Sequence, residues 1–184
     1  MILIKNGRVV DPVTNTDKIM DVLIKDNKIA EVSEHIEASG AQVIDAAGLV
    51  VAPGLVDTHV HFRDPGFTYK EDIETGARAA AKGGFTMVVC MANTKPAVDN
   101  IETLDYIQKK GEKTSINVLQ TATVTKGLKG TELVDMEQLA ASGAAGFTDD
   151  GIPIMDEKVL LEAMNRAKEL DLPISLHEED PLFI

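Results

Sequence analysis

Two histidines separated by one residue form the most promising chemical site in the sequence. His59 and His61 lie in the run Asp-Thr-His-Val-His-Phe-Arg-Asp-Pro-Gly (57–66), where an apolar segment ends. Alternate residues of a β-strand point to the same side, so the two imidazoles project together. Paired imidazoles suit a borderline divalent metal such as zinc. A bare His-x-His is as often a structural pair near a turn, but the neighbouring Asp57, Arg63 and Pro-Gly favour a metal site.

Two later groups add candidate ligands. Asp149 and Asp150 follow an apolar run, and successive strand residues face opposite sides, so only one of them easily points inward. The residues alone leave open which one, and an exposed turn is the alternative. His177 is the third of four histidines at a predicted strand end; the fourth, His35, lies in the amino-terminal part. We interpret the acidic residues 178–180 as a solvated turn.

The segment after the second apolar strand holds two further polar positions. Asn93, in Met-Ala-Asn-Thr-Lys-Pro, either reaches a ligand from the mouth of a barrel or caps a turn, and the residues alone favour the turn. Cys90 has no accompanying histidine or second cysteine, which indicates a buried small hydrophobic residue rather than a reactive thiol.

The elements that must position these residues follow a regular pattern after Pro53-Gly54. Apolar strand candidates recur about every thirty residues, the usual size of a βα unit, and begin near Leu55, Thr86, Ile116, Gly143 and Pro173. Between them the spacing predicts helices over 69–82, 101–110, 132–141 and 156–170. Such alternation is typical of an α/β fold with a parallel sheet. The alternative fold, an open doubly wound sheet, is disfavoured because no Gly-rich phosphate-binding motif follows the first strand. A barrel typically needs about 250 residues, of which 54–184 supply roughly half.

Residues 1–53 have a different pattern and predict a small all-β unit, incomplete on its own. Asn6-Gly7 and Asp26-Asn27 tolerate positive φ and are typical of hairpin turns. The predicted strands cover 2–4, 8–10, 21–25, 28–32, 42–45 and 49–52.

Composition excludes several classes of protein. The 184 residues include 18 Lys+Arg against 30 Asp+Glu, a net charge of −12 that disfavours nucleic-acid binding. With 44% hydrophobic residues the chain is not of the disordered class, and its single cysteine makes no internal disulfide. No signal peptide or membrane-spanning stretch is recognisable, so we expect no membrane partner and a cytoplasmic location.

Several separated motifs together resemble a known family. Pro-Gly-x-x-Asp-x-His-x-His-x-Arg-Asp-Pro-Gly is followed in order by Gly-Gly-Phe-Thr, Asn-Thr-x-Pro and Thr-Asp-Asp-Gly. The set resembles bacterial dihydroorotase of the class I type, in the amidohydrolase superfamily, from the first residue to the last. The resemblance implies a metal-dependent hydrolase with a (β/α)8 TIM barrel, and a small β-sandwich shared by amino- and carboxyl-terminal segments. It also implies two zinc ions and reversible hydrolysis of the cyclic amide of dihydroorotate to carbamoyl aspartate, in pyrimidine synthesis.

The metal ligands of that family map onto four residues. By the resemblance, His59 and His61 match ligands of the first zinc, Asp150 matches the carboxylate that bridges both ions, and His177 matches a ligand of the second. Whether Asp149 shares the role of Asp150 stays open.

The resemblance also assigns a substrate site and partners. Arg63 and Asn93, together with His61, match residues that bind the substrate, the first two through its carboxylate. A planar guanidinium suits a carboxylate better than an ammonium does. A homodimer, or a complex with aspartate transcarbamoylase, is the protein partner that the resemblance implies.

Two departures from the family matter. Ala92 stands where the family usually has proline, which leaves Asn93 in place. The chain also ends just past the fifth predicted strand, so we expect a barrel truncated there. We expect the sixth-strand histidine and the catalytic general acid/base aspartate to lie beyond residue 184, and the 184-residue chain alone to be inactive.

Two alternative functions remain. Allantoinases and dihydropyrimidinases resemble the chain around the paired histidines but usually bridge their metals with a carbamylated lysine on the fourth strand, where this chain offers Asp149-Asp150. The other alternative is a non-catalytic truncated homologue that serves as an assembly partner.

Overall fold

The amino-terminal 53 residues fold as one β unit in the computed structural model, which describes residues 1–183. β1 occupies the middle of the sheet: β2 pairs with it antiparallel on one side, and β4 and β5 pair with it parallel on the other. β3 lies beyond β2 at the edge. The strands are β1 (Ile2–Asp11), β2 (Thr16–Lys25), β3 (Lys28–Ser33), β4 (Gln42–Asp45) and β5 (Val50–Val51).

The two predicted hairpin turns have different outcomes. Asp26 and Asn27 both have positive φ, 50° and 58°, and connect antiparallel β2 and β3, which confirms that turn. The prediction for Asn6-Gly7 is wrong, because these residues form a bulge inside the ten-residue β1. Asn6 has φ 61°, and its N–H donates to the buried carboxylate of Asp21 at 2.9 Å. A positive φ serves a bulge as well as a turn, so the dipeptide alone does not distinguish them.

The second unit, from Gly54 onward, alternates strands and helices as the periodicity predicts. β6, β7 and β8 form a parallel sheet in that order, and β9 and β10 form a parallel pair. A parallel bridge between Ala122 and Phe147 places the continuation of β8 beside β9. The elements are β6 (Leu55–Val60), α1 (Ile73–Lys82), β7 (Phe85–Cys90), α2 (Ile101–Gly111), β8 (Asn117–Gln120), α3 (Met136–Ala141), β9 (Phe147–Thr148), α4 (Glu157–Glu169) and β10 (Ile174–Ser175).

Two helices begin later than the periodicity predicts, because capping aspartates decide where they start. The apolar spacing predicts α1 over 69–82, but Asp72 accepts a hydrogen bond from the Thr75 N–H, in a reciprocal capping box that begins the helix at residue 73. The spacing predicts α3 over 132–141, but the Asp135 side chain caps that helix, which begins at residue 136. Apolar spacing extends into the preceding loops, so periodicity alone overestimates both helices.

Each helix of the second unit buries a pair of apolar residues three or four positions apart. This spacing places the pair on one face of the helix, against the core. None of the helices in the described part of the chain is long and apolar enough to cross a bilayer. The buried pairs are Ile73 and Ala77, Leu104 and Ile107, Met136 and Leu139, and Ala163 and Ala167.

Candidate functional site

The candidate residues lie where the parallel strands of the second unit end. His59 is the penultimate residue of β6, and His61 follows this strand directly. Asn93 follows β7, Asp150 follows β9 and His177 follows β10. Carboxyl ends of parallel strands meet at one edge of a sheet, so their side chains converge there.

His59, His61 and Asp150 form a cluster with the spacing of metal ligands. The Nε2 atom of His59 lies 3.5 Å from Oδ1 of Asp150, and Nε2 of His61 lies 3.4 Å from Oδ2. One ligand atom from each residue falls within 4.8 Å of the others. Tetrahedral zinc with bonds of about 2.0–2.1 Å holds neighbouring ligand atoms roughly 3.3 Å apart. Two imidazole nitrogens and a carboxylate this close together therefore suit a divalent metal ion such as zinc in their chemistry.

Asn93 connects two members of this cluster. Its Oδ1 lies 3.0 Å from Nδ1 of His61, and its Nδ2 donates to Oδ2 of Asp150 at 3.1 Å. An amide oxygen only accepts hydrogen bonds, so Nδ1 of His61 carries the proton and Nε2 keeps its lone pair on the side of Asp150. Asn93 therefore fixes the tautomer that a metal ligand needs.

The surroundings of His61 also favour the neutral imidazole. Burial lowers the pKa of His61 below its ordinary value, and the positive charge of Arg63 lowers it further, against the opposing effect of the hydrogen bond to Asn93. Metals bind neutral imidazole, so the site does not depend on removing a firmly held proton.

His177 approaches Asp150 from a third strand. Its Nδ1 lies 3.9 Å from Oδ1 of Asp150, and its Nε2 lies 2.7 Å from Oε2 of Glu179. A carboxylate on one nitrogen leaves the other as the ligand atom, a common arrangement in metal sites. The sequence predicts a solvated turn for Glu179; the residue is exposed, but sequence reasoning missed its contact with His177. A carboxylate two residues after a strand-end histidine was the available signal.

The structure separates the two adjacent aspartates. Asp150 faces the histidines, whereas Asp149 is completely buried on the other side of the strand end. The carboxylate of Asp149 accepts hydrogen bonds from the N–H groups of Val124 and Thr125, at 2.8 and 3.1 Å, and from the Thr125 hydroxyl. Burial raises the pKa of Asp149 above its ordinary value, although these donors oppose the shift.

Arg63 lies in the loop after the paired histidines. Its φ is +59°, and its carbonyl oxygen accepts a hydrogen bond from the N–H of Phe67. The next residue, Asp64, has a completely buried side chain that accepts hydrogen bonds from the Tyr106 hydroxyl at 3.0 Å and Lys110 Nζ at 2.7 Å. Asp64 therefore ties the Arg63 loop to α2. Sequence reasoning did not assign this role to Asp64.

Replacing Lys110 with methionine is expected to destabilise the fold by about 1.5–3 kcal/mol, the range for losing one hydrogen bond to a charged group. The hydrogen bond to Asp64 raises the pKa of Lys110 above its ordinary value, so the ammonium persists throughout the neutral range. Methionine keeps most of the side-chain volume but leaves the Asp64 carboxylate with Tyr106 alone. Equilibrium denaturant unfolding measures the change.

Lys109→Met is the matched control for this variant. Lys109 is the preceding residue and forms an exposed pair with Asp105. Exposed pairs within one helix contribute about 0.3–0.5 kcal/mol. Equal destabilisation by the two substitutions would show that the buried contact to Asp64 contributes no more to the free energy of unfolding than the exposed pair does.

Comparison with known proteins identifies close relatives by sequence. A family model described as dihydro-orotase-like matches residues 48–182. Dihydroorotase of Clostridioides difficile is 60% identical over the whole chain, and that of Clostridium acetobutylicum is 56% identical. Dihydroorotase of Streptococcus pneumoniae is 56% identical over 98% of the chain. The chain spans 43–44% of the length of these curated relatives.

Solved structures with a similar fold include a hydantoinase (dihydropyrimidinase), a D-hydantoinase and a dihydroorotase. An L-hydantoinase (dihydropyrimidinase) from Arthrobacter aurescens superposes with a TM-score of 0.83 at 25% identity, over 97% of this chain and 41% of its own. A D-hydantoinase gives a TM-score of 0.77 at 30% identity, over 97% of this chain and 40% of its own. A dihydroorotase matches with a TM-score of 0.65 at 19% identity, over 98% of this chain and 52% of its own, and therefore shows similarity of fold alone. These neighbours share a mixed α/β architecture with the chain.

Proposed function

The chain belongs to the dihydro-orotase-like family, and from that membership we propose that it carries the metal-binding residues of a zinc-dependent dihydroorotase. The reaction is the reversible hydrolysis of the ring amide of dihydroorotate to carbamoyl aspartate. The observation that carries the proposal is the cluster of His59, His61 and Asp150, whose ligand atoms lie within 4.8 Å of one another. The proposed setting is pyrimidine synthesis in the cytoplasm, by a homodimer or a complex with aspartate transcarbamoylase.

The fold supports a specific architecture for the complete enzyme. We propose that residues 54–184 form the first part of a (β/α)8 barrel, because five parallel strands and four helices alternate in chain order. We propose that residues 1–53 contribute to a β-sandwich. The exposed apolar side chains of Ile29, Val43 and Val50 in this unit support the idea that another layer covers them.

Four residues of the chain would hold the metal. His59, His61 and Asp150 would hold one ion, and His177, whose Nδ1 lies 3.9 Å from Oδ1 of Asp150, would help to hold a second. When bound, zinc would lower the pKa of water and polarise the amide carbonyl, so that near neutral pH water becomes a better nucleophile and the amide a better electrophile. Asn93 and Glu179 orient the imidazoles of His61 and His177 by their hydrogen bonds.

Arg63 and Asn93 would position the substrate. The guanidinium of Arg63 offers two parallel donors to the carboxylate of dihydroorotate, and the Nδ2 group of Asn93 offers a further donor beside His61. Since Nδ2 also contacts Asp150, the amide would share or exchange this contact when substrate binds. Holding a carboxylate remote from the scissile bond orients the ring amide over the metal ligands.

A hydantoinase or dihydropyrimidinase is the second candidate, favoured by the high TM-scores of those structures. Two features support dihydroorotase instead. The residue that contacts the histidines from the fourth strand is Asp150, not a lysine that could be carbamylated. The relatives at 56–60% identity are dihydroorotases, whereas the hydantoinases are 25–30% identical.

Substrate competition in the complete gene product tests the proposal. The zinc-loaded protein should open dihydroorotate with kcat/KM at least roughly 100-fold above that for dihydrouracil or hydantoin, which lack the ring carboxylate. A preference for the uncharged rings would assign the dihydropyrimidinase function. Absence of both zinc binding and hydrolysis in the folded, complete protein would favour the non-catalytic assembly partner.

A further inference from the structure

A buried hydrogen-bond network lies directly behind the metal-facing aspartate. Asp149 and Thr125 are both completely inaccessible to solvent. The Thr125 hydroxyl donates its proton to the Asp149 carboxylate and accepts a hydrogen bond from the Gly130 N–H at 2.9 Å. With the N–H groups of Val124 and Thr125, the carboxylate therefore accepts three hydrogen bonds.

The same strand end is held in register on both sides of Asp149. The Thr148 N–H donates to the Ala122 carbonyl at 2.8 Å, and the Thr148 hydroxyl accepts from the Asp150 N–H at 3.0 Å. The Ile152 N–H donates to the Asp149 carbonyl at 3.0 Å. The Asp149 carbonyl closes a turn in which Asp150 is the second residue, so anchoring the Asp149 side chain fixes where this turn begins and where Asp150 lies.

We propose that Asp149 is a positioning residue, whose buried carboxylate, held by Val124 and Thr125, fixes the strand end so that Asp150 faces His59 and His61. The inference rests on the proposed metal site and extends it to a residue that touches no ligand atom of the cluster. The contacts of Asp149 bridge 24 to 25 residues along the chain, so they connect the end of β9 to the segment that continues β8.

Asp149→Asn is the direct test. The amide oxygen still accepts from the two backbone N–H groups, but the amide nitrogen cannot accept the Thr125 hydroxyl proton, which loses its buried carboxylate acceptor. The strand end therefore loses the hydrogen bond that the Thr125 hydroxyl donates, with almost no change of side-chain volume. Zinc affinity of the complete gene product, measured by chelator competition, should fall about 10-fold, the lower end of the range for direct partners of metal ligands, because Asp149 acts only through the backbone of Asp150. The number of zinc ions bound at saturation should not change.

Two further variants separate positioning from general damage. Thr125→Ser keeps the hydroxyl and should retain zinc affinity within about threefold, below the range for a lost supporting contact. Ile107→Val removes a buried methylene from α2, away from the cluster, and costs about 0.5–1.5 kcal/mol. Suppose that the two variants lose a similar free energy of unfolding and that Ile107→Val weakens zinc binding as much as Asp149→Asn does. The loss of zinc affinity is then a general effect of destabilisation, and the proposal is wrong.

Asp150→Asn distinguishes failure of this inference from failure of the proposed function. If Asp150→Asn loses zinc while Asp149→Asn binds like the native protein, Asp149 does not position the site and the metal site stands. If Asp149→Asn also binds fewer ions at saturation, Asp149 is a ligand, which contradicts the positioning role. If Asp150→Asn binds zinc normally, the metal site itself is misassigned and both proposals fail.

Discussion

His61→Ala is expected to remove most zinc from the complete enzyme and to lower kcat/KM for dihydroorotate at least roughly 10³-fold, about 4 kcal/mol of transition-state stabilisation. The substitution deletes one of three ligand atoms that lie together. It also leaves Oδ1 of Asn93 without its partner and so loosens the amide that contacts Asp150. Metal analysis of the purified protein and initial rates of ring opening measure the two effects.

His35→Ala is the matched control. His35 belongs to the amino-terminal unit, is exposed, and lies 3.6 Å from the exposed carboxylate of Glu37. Its loss should change zinc content and kcat/KM by no more than about twofold, since His35 is not a member of the candidate ligand cluster and exposed pairs contribute little to stability. Full activity of His61→Ala with native zinc content would exclude the proposed site.

The sequence predicted the positions of the candidate residues well, because strand ends are set by local patterns. Apolar runs about thirty residues apart, with turn residues after them, are visible in the chain itself. The period-2 alternation of a strand then predicts that His59 and His61 project together, and the structure places both Nε2 atoms near Asp150. Features that depend on backbone periodicity can therefore be predicted from the sequence alone.

The contacts that sequence could not supply join residues far apart in the chain. Asp64 is tied to Lys110 across 46 positions, and Asp149 to Val124 across 25. The choice between Asp149 and Asp150 depends on which side of the strand end offers buried N–H donors, a tertiary property. The Asn6-Gly7 bulge likewise depends on a partner in β2, the carboxylate of Asp21.

Asn93 shows the same limit for a single residue. The local pattern favoured a turn cap, whereas the side chain spans His61 and Asp150, which lie 32 and 57 positions away. A short polar side chain at a strand end satisfies both descriptions until its neighbours are known. The distinction matters because the same amide would then serve both metal ligands and substrate.

Arg63→Met is expected to lower kcat/KM for dihydroorotate roughly 10²- to 10³-fold, because two charge-assisted hydrogen bonds to the substrate carboxylate are lost. Arg63→Lys keeps the charge but not the planar pair of donors, so it should lie between Arg63→Met and the native enzyme. Both variants keep a Cβ at a position with φ +59°, so their backbone cost is shared. Initial rates with dihydroorotate measure the series.

The same variants are also measured with dihydrouracil, which has the same ring without the carboxylate. This comparison tests the contact between Arg63 and the substrate carboxylate. The slow hydrolysis of dihydrouracil should change by no more than about threefold in either variant, because Arg63 has no carboxylate to hold. The ratio of the two substrates therefore isolates the guanidinium–carboxylate interaction from any effect on the metal cluster. Parallel loss with both substrates would instead mean that Arg63 acts through His61, whose pKa its charge lowers. In that case the residue that recognises the carboxylate lies elsewhere in the site.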